Sequence, residues 1–556
     1  MRSAVLSTVA AAMLVATSPG VPAVAASSSS PKVLLVGSFQ GVQGGYRTIQ
    51  SAVNAARPGD WVLIGPGDYH EHGTDEAGVY VSEPNIHLRG MDRNQVIVDG
   101  TRAAPTGSIP RPCDPSPAAQ NFGVKNPDGT TAGRNGIEAF EVDGVSIENL
   151  TACNFLSASD GENGNEIWWN GGDGSGTTNL GAYRGAYISA TSTYYKDPTS
   201  PMAQYGIFAS NSFGPGVLIH TYAGNMGDGA YYIGACPDCN VVITDAHAQN
   251  SALAYSGTNS GGNLIIQRSE FDLNKTGIVP NSLNNDDAPP PQDGACPPGQ
   301  TGPTGTSSCT VIRNNYVHDN NNPNVPAFGL SGEAPIGTGI EISGGQNDTI
   351  VGNRIVRNGS WGVLIHDFPD TEKPPPVSHC EGGIQTGPVC FFQAFGNEVA
   401  GNTFTNNGFF GNPGNADIGN EASSAVPGNC FHDNTDTSGT LTSDPPAIET
   451  VDGTCGGPAP GDTTLAAQIV CASGVLEASG FPPCPPDPPT NYPQTTKVSM
   501  IPMPPQATMP NPCSGVPANP WCASGGSRGP GSDPAGLHGG PAGYMANGQR
   551  DRVARL

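Results

Sequence analysis

The chain has 556 residues, of which only 13% are charged, with 77 glycines, 54 prolines and a formal net charge of −25. That charge repels nucleic acid and anionic membrane surfaces, and it disfavours acidic polysaccharide unless Ca²⁺ bridges carboxylates on both sides. The Gly/Pro content alone would allow disorder, but strand periodicity through the middle of the chain argues against it there.

Residues 1–25 read as a secretory signal. Arg2 gives a positive start, residues 9–16 are apolar, and Ala23-Val24-Ala25 is a small-x-small cleavage site. The apolar run is too short for a membrane anchor, and no later stretch could span a bilayer. Residues 26–44 read as a linker. Thr48 then caps a short helix whose apolar face is Ile49, Ala52, Val53 and Ala56, ending at Pro58-Gly59. It is expected to plug the open end of whatever follows. Val79-Tyr-Val81, Ile86-His-Leu88 and Val96-Ile-Val98 supply the first strands, and residues 101–135 form a polar loop.

From 136 to 435 a unit repeats. It is clearest as Gly339-Ile-Glu-Ile-Ser343, a polar turn, Ile350 to Asn358, and a return at Gly362-Val-Leu-Ile-His366, so that Gly339 and Gly362 stand 23 residues apart. One template is an apolar residue, a small polar residue three later, an apolar or aromatic residue at five and Asn at eight. It fits from Val242 to Asn250, Ile266 to Asn274, Ile312 to Asn320, Ile350 to Asn358 and Val399 to Asn407. Gly-led strands recur at Gly136, Gly185, Gly206, Gly229, Gly277, Gly339 and Gly362. Asn tolerates left-handed backbone angles and its amide can bond the same amide one coil above; Gly turns without steric cost. A repeat of this length with no room for a long helix means strands wound into stacked coils.

On these residues the chain resembles the right-handed parallel β-helix, pectate-lyase-like family over 45–435. The implied fold is an all-β solenoid with an N-terminal capping helix, followed by a loose, disulfide-containing Pro/Gly-rich tail at 436–556 in which residues 465–476 are mildly helical. The family holds lyases, hydrolases, epimerases and proteins without known chemistry, so the fold does not choose among them. Arg354 and Arg357 are similar to the cationic base of some β-helix lyases, without the surrounding lyase motifs. Asn434-Thr435-Asp436 matches one piece of the polygalacturonase signature, but no paired aspartate or Gly-His-Gly follows. The epimerase Asp-Pro-His is absent from the sequence.

The 14 cysteines, an even number, suit an exported, oxidised protein. Local pairs are expected: Cys296 with Cys309, Cys380 with Cys390, Cys430 with Cys455, Cys471 with Cys484, and Cys513 with Cys522. Cys236-Pro-Asp-Cys239 has the spacing of half a zinc site or of a redox pair, with no second pair of ligands to complete the zinc site.

Two insertions, 282–308 and 368–395, both follow a Gly-led strand. They should leave the coil at the same corner and overhang one sheet, where function tends to sit. Alternation along the Gly-led strands puts Tyr187, Phe208 and Tyr231 outward as an aromatic row, suited either to sugar rings or to simple stacking. It also puts Asn281, Glu341 and His366 on adjacent rungs, with Asp367 beside His366. Glu341, His366 and Asp367 are the candidate acid–base set for a glycosidic bond or a uronate C5 proton; Tyr187, Phe208, Tyr231 and Asn281 are the candidate substrate contacts. Asn284-Asn-Asp286-Asp287 is a candidate Ca²⁺ loop against a solvated acidic loop, and His318-Asp319 is expected to be structural. The functional expectation is a secreted or cell-surface monomer that binds polysaccharide or cell-wall glycan, with lyase or glycoside hydrolase cleavage as the enzymatic reading. The alternative is a non-catalytic surface protein displaying a binding face. Contact with nucleic acid or insertion into membrane is not expected.

Overall fold

The structure is a computed structural model describing residues 30–105, 109, 111–159, 161–172, 177–284, 290–370, 380–422, 427–474 and 490–522. The signal segment 1–25 lies outside the described residues, as do Asn285 to Asp287 of the proposed Ca²⁺ loop and Cys484.

Three long parallel sheets of 12, 11 and 11 strands wind as a right-handed β-helix. Each coil runs through the first sheet, turns into a three-residue strand of the second, and turns again into a six-residue strand of the third. Asp348–Val351, Arg354–Val356 and Trp361–His366 are one such coil. The template from Ile350 to Asn358 is therefore two strands, with Asn353 at one corner and Asn358 at the next. Asn315, Asn353, Asn402 and Asn434 form a ladder, each amide Nδ2 donating to the next Oδ1 at 3.0 Å. Glu449 closes it by accepting from Asn434 Nδ2. Asn274, Asn320, Asn358 and Asn407 form a second ladder at the other corner.

The core fills the inside of the coil with Ile137, Ile207, Tyr231, Ile278, Ile340, Val363 and their counterparts from the other two sheets. On third-sheet strands the leading residue and the one after it both face inward, so the first place is crowded and is mostly glycine or alanine, with Glu166 and Asp417 as exceptions. A Cβ on Gly206 would lie 2.8 Å from Ala223 Cβ, and one on Gly362 would lie 2.8 Å from the Phe404 ring.

The helix Ile49–Val53 forms as expected, with Thr48 Oγ1 accepting from Ser51 N, and packs its buried face into the first coils. The carboxylate of Glu71 accepts from the free N–H groups of Ile49 and Gln50. The span read as a linker contains a strand, Val33–Val36, paired in parallel with Trp61–Ile64. Its run of apolar residues buries like any first-sheet strand.

The coils also continue past residue 435, to Ser443–Asp444, before the helices Ile448–Val451 and Leu465–Ser473. Residues 490–522 then lie back along the coil towards its N-terminal end. Asn225 exchanges both amide bonds with the backbone of Ile501, Asn94 does the same with Gln506, and Asn250 donates to Ser499. The buried Arg93 donates to Ala507 O, and Trp521 packs on Leu35 and Leu63. Asn side chains that face outward at the corners read the backbone of this strap, which is why a Pro-rich segment with no repeat of its own is held.

Six disulfides lie among the described residues. Four are the local pairs expected, and Cys113–Cys153 and Cys236–Cys239 add to them. The sulfurs of the Cys-Pro-Asp-Cys sequence are thus spent on each other. Among the described residues no helix is long and apolar enough to cross a membrane.

Candidate functional site

Both insertions leave at the corner after the third sheet, one after Thr276–Asn281 and the other after Trp361–His366. They touch there: Asn284 N donates to Asp370 Oδ2. The second folds into an antiparallel hairpin sheet of Phe368–Asp370, Ile384–Thr386 and Val389–Phe392, pinned by Cys380–Cys390. Phe368 and Phe392 pack against Gly344, next to the third sheet. On the other side the helix Leu465–Ser473 packs Leu465 and Ile469 against the outward Trp361 and Leu364. The end of the third sheet is thus a floor walled on two sides by the hairpin and the helix, and its Glu341, Leu364 and His366 are buried.

On that floor Asn281, Ser343 and His366 are register neighbours, as are Glu341 and Leu364. His366 Nε2 and Glu341 Oε1 are 2.8 Å apart. His366 Nδ1 lies 2.8 Å from the Asp367 carbonyl, which can only accept, so Nδ1 carries a proton. Burial works against the imidazolium, but the hydrogen bond and charge of Glu341, with Glu421 and the Asp367 carbonyl, outweigh it and raise the His366 pKa. The pair is an imidazolium–carboxylate, and His366 has no lone pair left to act as a base. Glu341 Oε2 is buried and has no hydrogen-bond partner.

Asp367 faces away from the reacting side: its Oδ1 accepts from Ala394 N at the base of the hairpin. Its own N–H donates to Glu421 Oε2 at 3.0 Å. Sequence reasoning missed Glu421. It follows Asn420, which pairs with Ile365, so it stands one rung beyond His366. Burial first, then the charge of Asp367, push its pKa up to about 7. The strand Ala416–Asn420 lacks the leading glycine, since Asp417 holds that place; this hid the rung from the repeat pattern.

Of the aromatic row, only Phe208 stands where expected. Tyr231 is in register with Ile207 and points into the core, where its hydroxyl donates to Thr221 Oγ1. Gly229 sits one place early on its strand, Ala230 fills the glycine position, and a one-residue slip exchanges inside for outside. Tyr232 takes the outward place instead. Gly185 belongs to a first-sheet strand, Tyr183–Ala186, so Tyr187 lies at a different corner, against His220. The third-sheet strand of the preceding coil is Asn165–Asn170, and its outward Trp168 stacks on Phe208 at 4.9 Å. The row that exists is Tyr80, Trp168, Phe208 and Tyr232, with Tyr205 against the last two. Asn281 lies further along the face, accepting from Thr258 Oγ1.

Arg354 lies over the Tyr316 ring and Arg357 pairs with Asp319, both on the second sheet and far from this cleft. His318 bonds Glu270 and Asp319 there.

No protein-family model and no curated protein matches the chain. Among solved structures it is similar to the A-module of the mannuronan C-5 epimerase AlgE4 from Azotobacter vinelandii, at 12% identity over 70% of this chain and 90% of that one, TM-score 0.40. It is similar to an alginate lyase from Paenibacillus sp. at 11% identity over 74% and 97%, TM-score 0.34. A third similar structure is the pectin methylesterase PemA from Erwinia chrysanthemi, at 12% identity over 74% and 91%, TM-score 0.28.

Proposed function

We propose that the protein is exported, binds polysaccharide along the outer face of the third sheet, and cuts it in the cleft at the end of that sheet by glycoside hydrolysis. The observation that carries this is a pair of carboxyl groups in different surroundings at the walled end of the sheet. The Glu421 pKa is raised to about 7 by burial, and Glu341 is hydrogen-bonded to His366 with one oxygen unpaired. A carboxyl group whose pKa is raised by burial can serve as the acid of such a pair. Glu421 is the proton donor to the leaving oxygen and Glu341 the carboxylate that receives a proton from water or attacks the sugar. His366 is a positioning residue that holds Glu341 through its Nε2, and Asp367 ties Glu421 to the hairpin. Trp168 and Asn281, half-buried on the face, and Phe208 and Tyr232 behind them, line the path of the chain. Six disulfides support export.

The test is release of reducing ends from a panel of glycans, with Glu421→Gln and Glu341→Gln as variants. Turnover lost by a factor of roughly 100 or more in both supports these roles, on the usual scale of general acid–base catalysis. Turnover unchanged in both removes the site, and an unsaturated uronate product in place of a reducing end makes the reaction a lyase. The competing reading, binding without chemistry, draws on burial: Glu341 is 3% and His366 6% exposed. It predicts retention of a glycan with no product.

A further inference from the structure

Resting on that reading, we propose that the third-sheet face selects uncharged sugar chains and rejects polyuronates. The outward side of its strands can be followed rung by rung. The middle row is Tyr80, Glu138, Trp168, Phe208, Tyr232, Ser256, Val279, Glu341 and Leu364. The row nearest the hairpin is Phe140, Asn170, Ser210, Gly234, Thr258, Asn281, Ser343 and His366. Among these described residues there is no lysine or arginine, and the lone histidine is already committed to Glu341. The cations nearest the edge of the sheet are turned elsewhere: Lys275 Nζ donates to the carbonyls of Gly332 and Ser473, and Arg134 to those of Glu71 and Gly100.

The polar side chain that reaches the surface points the same way. Asn281 is half-buried and its amide both donates and accepts. Sugar hydroxyls donate to and accept from such a group, whereas a uronate carboxylate only accepts and adds charge to a face that already carries Glu138 and Glu341. A Ca²⁺ bridge needs carboxylates open to solvent, and those of the two rows, Glu138 and Glu341, are 7% and 3% exposed. The half-buried Trp168 supplies an aromatic edge beside them, which suits the apolar C–H faces of a sugar whatever its stereochemistry.

The experiment is affinity electrophoresis or calorimetry on the full chain. Probes are hydroxyethyl cellulose, galactomannan and xylan against polygalacturonate, alginate and a glucosamine polymer, at low and high salt, with Ca²⁺ or with chelator. The expected result is binding to at least one uncharged polymer, insensitive to salt. It should weaken roughly tenfold, about 1.4 kcal/mol, in Trp168→Ala and in Asn281→Ala, with the polyuronates unbound in both calcium arms. Binding of a polyuronate, or of the glucosamine polymer alone, overturns the selectivity while leaving the polysaccharide reading in place. Binding of no polymer at all overturns the polysaccharide reading and this inference with it.

Discussion

Two sheets of the same coil carry histidine–carboxylate pairs, and they differ in everything but composition. On the second sheet His318 lies between Glu270 and Asp319, Asp319 also pairs with Arg357, and the Glu270 side chain is 47% exposed. On the third sheet His366 meets Glu341 at 2.8 Å with side chains 8% and 4% exposed, between a disulfide-pinned hairpin and a helix. The first is a network at the surface, where Glu270 and Arg357 reach water and His318 has two carboxylate partners. The second is enclosed, so each charge depends on the other. A candidate site is thus marked by what walls it in, not by which residues it contains.

The largest effect should come from breaking the enclosed pair. Glu341→Ala leaves the His366 charge buried and unpaired, and is expected to cost about 3–5 kcal/mol in denaturant unfolding. The matching change on the open sheet, Glu270→Ala, is expected to cost about 0–1 kcal/mol. Equal losses would mean that the two environments do not differ as described. Between these extremes lies the Asn ladder: Asn353→Ala takes the acceptor from the buried Asn315 N and Nδ2 and should cost about 1–3 kcal/mol by the same assay.

A pH series sharpens the contrast. The Glu421 pKa is raised to about 7, so its folded state favours the protonated form. The stability it contributes is complete below the ordinary carboxylate range and is lost as pH climbs through about 7. The raised His366 pKa acts in the same direction, its share being lost above the ordinary histidine range. Turnover should fall over the same alkaline window, and Glu421→Gln should flatten the stability profile there. The smallest effect is expected for His318→Gln on the second sheet, within about 1 kcal/mol and with turnover unchanged.

The winding was legible because Asn353, Asn402 and Gly339 are needed at corners and tight inner places, where one residue type does what others cannot. Glu341 and His366 were found together because two such glycines set their phase. Tyr231 and Tyr187 were misplaced for the converse reason. Gly229 and Gly185 are glycines off the beat, and a period-two strand read from the wrong start turns inside out. Glu421 escaped because its strand leads with Asp417. The strap escaped because Asn94, Asn225 and Asn250 hold its backbone, leaving no mark in its own side chains.

That strap gives the molecule an unusual mechanical layout. Val33 begins the first coil, and Trp521, after the chain has travelled the length of the stack and back, rests against Leu35 beside it. Tension between these two points loads the Trp521 contacts, then the bonds of Arg89 and Arg93 to the strap backbone, and then a line of amide bonds, before it reaches any rung of the coil. The stack itself carries load only after its fastening has let go.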